Sequence, residues 1–137
     1  MFPDHARVIS LLQDAIDEME LLTRMSESIK TPDDFISNLS GLTVFRACGM
    51  SLQYITEIFV KIRNICGKEF FSSYASIPWN AVFGMRNFLS HEYGSIDNEG
   101  FFDTIKNNIP HLLEVTKKIL ADLKDGKLNK IFPTPSL

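Results

Sequence analysis

Apolar residues in the first thirty positions fall at Val8, Leu12, Ala15, Met19, Leu22 and Ile29, with gaps of four, three, four, three and seven. Residues three and four apart share one side of an α-helix, so this is the repeat of a helix that buries one face in a bundle. Asp14, Asp17, Glu18 and Glu20 occupy the other faces. The pattern predicts a long amphipathic helix over residues 4–30, with Asp4 as its N-cap. Thr31-Pro32-Asp33-Asp34 then breaks it, because Thr31 can cap and Pro32 suits a first helical turn. A short turn of helix through Phe35 is expected. Asn38 or Ser40 opens a second long helix to about residue 64. Its stripe is Phe45, Cys48, Leu52, Ile55, Phe59, Ile62 and Cys66, again spaced by three and four, and Gly67 stops it.

Residues 68–76 read as a connector with a turn of helix around Phe70 and Phe71. Ile77-Pro78-Trp79 begins a third helix with Pro78 in its first turn, and residues 94–98 form a loop after it. A fourth helical region covers residues 99–125, ended by Gly126. Pro110 has no N–H to donate and should kink or split that region. Residues 127–137 carry Pro133 and Pro135 and read as an extended tail. No segment alternates with period two. The prediction is an all-α, up-and-down bundle of four to five helices in one domain, residues 1–126, followed by the tail.

Composition narrows the functional classes. A chain of 137 residues with 45% hydrophobic and 23% charged positions fits one ordinary globular core. A net charge of −3 argues against general affinity for nucleic acid, which comes from Lys and Arg neutralising phosphates. DNA is not expected as a partner, and any contact with RNA must be local or helped by self-association. Lys117, Lys118, Lys124, Lys127 and Lys130 make a basic C-terminal end, read first as solvated helix-end charge and second as a means of steering RNA. Cys48 and Cys66 are 18 residues apart, about 27 Å along one helix. That is too far for a disulfide and fits a reducing compartment. The polar N-terminus suggests no signal peptide, and no apolar run approaches the ~18 residues of a membrane span. A soluble, cytoplasmic protein is expected. His5, His91 and His111 are scattered, no ligand spacing suggests a metal, and no cofactor motif is present.

The stretch over residues 77–93 carries most of the chemistry. At 100° per residue Trp79, Val82, Phe83 and Leu89 form an apolar side with Arg86 in its middle. Asn80, Gly84, Asn87 and His91 line a second strip about 100° away. Burying a guanidinium alone is costly, so Arg86 needs a carboxylate, a second subunit or an anionic ligand. Glu57, on the polar side of the second helix, is a candidate partner. Gly84 costs roughly 1 kcal/mol against alanine in a helix, which points to close packing or to room for a substrate. His91 lies about 140° from Arg86. The two converge if the helix frays or if a two-fold axis brings two copies together.

Arg86-Asn87, three residues, His91, one residue, Tyr93 resembles the Arg, four residues, His, any residue, Tyr signature of the HepT-type toxins in the HEPN superfamily. Ile77-Pro78-Trp79 and Gly84-Met85 match the family's run into that motif, and the region from Arg46 through Leu52 to Glu57 resembles its second helix less specifically. One departure is Glu92, where a small residue often stands between His and Tyr. The resemblance implies a two-fold HEPN homodimer with the Arg86 and His91 helices facing across the axis. It also implies the toxin of a type VII-like HEPN/MNT toxin–antitoxin pair, a metal-independent endoribonuclease partnered by a minimal nucleotidyltransferase antitoxin. The residue types suit that chemistry. An imidazole with an ordinary pKa near 6.5 can accept or donate a proton at neutral pH, which assigns His91 as acid or base. The fork of Arg86 can engage two phosphate oxygens, and Asn87 can orient His91 or a phosphate oxygen. The resemblance also makes Tyr93 a target of AMPylation. The alternative is a non-catalytic HEPN partner that binds the nucleotidyltransferase or a nucleotide and cleaves nothing.

Overall fold

In the computed structural model, which describes residues 5–85 and 97–127, the first two apolar stripes become α1 (His5–Met25) and α2 (Leu39–Cys66). All six predicted positions from Val8 to Ile29 are buried, and so are Cys48, Leu52, Ile55, Phe59 and Ile62 of the second stripe. Each large apolar side chain removed from water contributes about 1.5–3 kcal/mol. Helix α1 ends five residues before the predicted limit. Beyond it Ile29 N–H donates to Ser26 O at 3.0 Å, and this turn carries Ile29 back into the core. Lys106 Nζ donates to the Ser26 carbonyl at 2.6 Å, placing a cation at the C-terminal end of α1 where unsatisfied carbonyls favour it.

The break between α1 and α2 is built by its polar residues. Pro32–Phe35 is a 3₁₀ turn capped by Thr31, and the Asp34 carboxylate accepts the N–H groups of Lys30 and Thr31 at 2.8 and 2.9 Å. Those donors, Lys30 first, hold the Asp34 carboxyl below the usual range. Asn38 caps α2, its Oδ1 accepting Gly41 N–H at 2.8 Å. Gly41 is buried with its Cα turned to the 3₁₀ turn, where a β-carbon would run into the Asp34 carbonyl. Gly67 closes α2 at φ 85°, a left-handed conformation that glycine adopts without strain, with its N–H on Arg63 O at 2.7 Å.

After the 3₁₀ turn Lys68–Phe71 come α3 (Trp79–Phe83), α4 (Asn98–Asp103) and α5 (Ile109–Lys124). Pro110 neither splits nor stops the fourth helical region. Residues Thr104–Asn108 widen into a π-turn instead, with Ile109 N–H reaching back five residues to Thr104 O. The wide turn accommodates a ring that lacks a donor and would otherwise press on the carbonyl four residues earlier. Helix α1 packs against both α2 and α5, and α4 lies over the 3₁₀ turn that precedes α2. Ser51 Oγ donates to Glu18 Oε2 at 2.6 Å across the α1–α2 contact. The described residues thus form an all-α bundle with no strand, as expected. Among them no helix is long and apolar enough to cross a membrane. Both cysteines are on α2 and unpaired, and burial pushes their thiols up to about 11 for Cys48 and about 12 for Cys66. Neither is a thiolate nucleophile near neutral pH.

Candidate active site

Arg86, Asn87, His91 and Tyr93 lie outside the described residues, so the structure shows how the chain enters and leaves their segment. Entry is through α3. Trp79 packs on Phe71 with ring centroids 4.3 Å apart and on Phe59 at 5.7 Å, and its Nε1 donates to Tyr74 O at 2.9 Å. Phe83 sits 5.6 Å from Phe71, and the Arg63 guanidinium stacks 4.4 Å above its ring. Such a stacked cation adds about 0.5–1 kcal/mol at a half-exposed site. Among the described residues the third helix runs from Trp79 to Phe83, and the predicted stretch from Arg86 onward lies outside them. Gly84 and Met85 form a turn in which Met85 N–H takes the Val82 carbonyl, three residues back. Glycine, the poorest helix former after proline, stands where the helix stops.

The chain returns at Asp97, whose carboxylate caps α4 by accepting Gly100 N–H at 3.0 Å. Asn98 Nδ2 donates to Asp33 Oδ1 at 3.1 Å, and Phe101 packs on Phe35 and Phe45 at 5.1 and 4.5 Å. The described residues on either side of this segment therefore dock on one flank of α2. Phe59 carries the entry and Phe45 the exit, about 21 Å apart along the axis.

A further tie fixes the loop ahead of α3. Tyr74 hydroxyl donates to Asp122 Oδ2 at 2.8 Å in a buried contact with α5. Lys118 and Lys127 approach the same carboxylate at 3.3 and 3.6 Å. Both lysines are mostly exposed, so water screens them and the buried hydroxyl contributes more of the binding. Burial pushes the Asp122 carboxyl up, but the Tyr74 and Lys118 hydrogen bonds and the two lysine charges outweigh it, and the group sits below its ordinary value. Burial first, then Asp122, drives the Tyr74 phenol well above its ordinary range. A carboxyl with a depressed folded pKa stabilises the fold above its unfolded pKa, and that contribution is lost as pH falls through the folded value. We therefore expect Asp122→Asn to lower the melting temperature at pH 7 and to close the gap with wild type as pH drops below about 4. A gap that does not change with pH in thermal melts would show that the Asp122 charge is not what matters.

Tyr74, Asp122 and Arg63 were not singled out by the sequence pattern. Asp122 had a signal: it lies three residues after Ile119 and one before Leu123, on the buried face of α5. Glu57 is exposed, and on the wheel of α2 it points about 160° away from Phe59, against which α3 docks. The structure does not bring Glu57 to α3. Lys118 and Lys127 of the basic end are committed to Asp122, while Lys117 and Lys124 are exposed. Among the described residues no three His, Cys, Asp or Glu side chains gather as metal ligands.

The profile of the family described as "Ribonuclease HepT-like" matches residues 12–119. The chain belongs to this family. The HepT-like match runs from within α1 to within α5 and includes the whole motif segment. A protein named "Putative RNase" from Caldanaerobacter subterraneus subsp. tengcongensis is 31% identical over 112 residues, 70% of this chain and 100% of its own length. The "Probable ribonuclease HepT" of Thermococcus cleftensis is 29% identical over 101 residues, 74% of this chain and 84% of that one. A Methanocaldococcus jannaschii protein named "Gamma-glutamylcyclotransferase and putative RNase" is 30% identical over 121 residues, and the chain spans 50% of its length. No solved structure matches.

Proposed function

We propose that this HepT-like protein is a metal-independent endoribonuclease, the toxin of a HEPN/MNT toxin–antitoxin pair. The observation that carries the reading is the complete set Arg86, Asn87, His91 and Tyr93 inside the matched span. The family and the names of its relatives support RNA as substrate. In the proposed reaction the RNA 2′-hydroxyl attacks the adjoining phosphorus. His91 takes or returns the proton, and Arg86 holds the charge gathering on the phosphoryl oxygens. The bond to the 5′-oxygen breaks, leaving a cyclic phosphate and a 5′-hydroxyl end. Asn87 orients the imidazole or a phosphate oxygen. Two copies act together, with the Arg86 and His91 segments facing across a two-fold axis. Glu57 is kept as the candidate carboxylate partner of Arg86, from the same chain or from the second copy. The test is cleavage of purified RNA in EDTA. Activity that survives the chelator and yields cyclic phosphate ends supports the mechanism, and activity restored only by a divalent cation overturns it.

Tyr93 is the proposed regulatory handle. Its phenol oxygen attacks the α-phosphorus of ATP in a partner nucleotidyltransferase, forming a tyrosyl–AMP bond and releasing pyrophosphate while the phenol proton passes to solvent. The added phosphate competes with RNA for Arg86 and the adenosine obstructs the groove. Incubation with the partner enzyme and ATP should add one AMP mass to wild type and none to Tyr93→Phe, and the adduct should silence cleavage. An adduct that leaves cleavage unchanged would sink the idea.

A further inference from the structure

Arg63 is set apart from the other described arginines by how the fold holds it. Arg7, Arg24 and Arg46 are exposed, whereas Arg63 is partly buried near the C-terminal end of α2, its guanidinium 4.4 Å from the centre of the Phe83 ring. Phe83 is itself packed on Phe71 at 5.6 Å. Position 63 comes one turn after Phe59, on the flank where α3 docks, a place that leucine or isoleucine would fill if packing were all it did. The charge is not neutralised within the described fold. Both ion pairs among the described residues belong to Asp122. The residues three and four positions from Arg63, where a helix partner would stand, are Phe59, Val60, Cys66 and Gly67, and none is acidic.

A guanidinium lying over a ring uses its flat face and leaves its edge, where the N–H donors are, for an acceptor. A side chain already fixed by packing also loses less freedom when an anion arrives. The position of this donor gives it a use. Arg86, proposed above to hold the phosphoryl group under attack, comes three residues after Phe83, no more than about 11 Å away even along a fully extended chain. A fixed cation that close to the site of one phosphate is within reach of the next phosphate on the same strand. At a net charge of −3 the chain has little diffuse attraction for RNA, so individual cations must carry the contact. We infer that Arg63, mounted on Phe83, binds the RNA phosphodiester that neighbours the one being cleaved. The contact is to the backbone and therefore independent of base sequence. It rests on the ribonuclease reading for its ligand and adds to it a binding residue that takes no part in proton transfer.

The test is the binding of a labelled single-stranded RNA with 2′-O-methyl sugars. That substrate lacks the hydroxyl that attacks in the proposed reaction, so binding is measured apart from cleavage. Arg63→Gln should weaken binding by about fivefold at low salt, the upper end for a partly exposed ion pair. The slope of log affinity against log salt should flatten by about 0.7, the contribution of one phosphate contact on a single strand. Arg63→Lys keeps the charge and should restore the slope with part of the affinity, since an ammonium has no fork. Phe83→Leu removes the ring but keeps the cation, and its slope should stay at the wild-type value. Circular dichroism and thermal melts check that each variant folds. Equal losses in Arg63→Gln and Phe83→Leu at an unchanged slope would assign Arg63 to packing alone and overturn the inference. Binding indifferent to Arg63→Gln would do the same, and both results leave the ribonuclease reading standing. Wild type with no affinity for RNA overturns the two together.

Discussion

Folded His91→Ala protein is expected to lose RNA cleavage by about 10²–10⁴-fold, the usual worth of a positioned acid or base. Arg86→Ala should cost about 10²–10³-fold, because removing one donor to a developing negative charge in a water-poor site has that effect. Arg86→Lys should recover only part of the rate. An ammonium keeps the charge but cannot engage two phosphoryl oxygens with a planar fork. The double alanine variant should be little worse than the poorer single one, since residues that act in one step are strongly non-additive. Single-turnover cleavage of a labelled RNA separates these losses from weaker binding. Undiminished cleavage by folded His91→Ala would remove this residue from the mechanism. It would move the reading toward a HepT-like partner protein that binds without cutting.

Gly41→Ala should destabilise the fold by about 3 kcal/mol, even though alanine is the better helix former by about 1 kcal/mol. Two effects oppose each other, and distances decide between them. A β-carbon at Gly41 would collide with the Asp34 carbonyl oxygen and lie 3.0 Å from the Asp34 carbonyl carbon and 3.3 Å from that of Phe35. The obstacle is backbone, already pinned by the Asp34 carboxylate on Lys30 and Thr31 N–H, so it cannot rotate away as a flexible side chain could. The 3₁₀ turn would have to lift from α2, loosening Phe35 from Phe45 and Phe101, the contacts that anchor the chain where it re-enters at α4. In thermal unfolding this corresponds to a drop of roughly 10 °C. Gly41→Ala protein that melts at or above wild type would show that the turn and α2 approach less closely than described.

Much of the fold can be read directly along the chain. The stripe from Val8 to Ile29 and the stripe from Cys48 to Ile62 each need only helical spacing to be recognised, and nearly every residue named in them is buried. Asn38 and Gly67 mark the ends of α2 by local chemistry, a side-chain acceptor at one end and a left-handed glycine at the other. The resemblance to HepT proteins is likewise a property of adjacent residues, and the family match bears it out. Such features are local because a helix repeats within one turn and a motif within a few residues.

What depended on the tertiary structure is of another kind. Thr31 reads as a capping residue from its neighbours, yet that Gly41 must be glycine follows only from the turn that lies against it. Pro110 suggests a kink, and the π-turn that absorbs it is a backbone solution that spacing does not distinguish from a break. Tyr74 and Asp122 are 48 positions apart, and their hydrogen bond exists because the loop before α3 packs on α5. Glu57 reads as polar from its helix face alone, and only the docking of α3 on Phe59 shows that this face of α2 is turned from Trp79 and Phe83. The sequence by itself determined the helices, their buried faces and the family, since periodicity and short motifs are contained within single segments. Which faces meet, and therefore which polar groups become partners and which stay exposed, was decided only by packing between segments far apart in the chain.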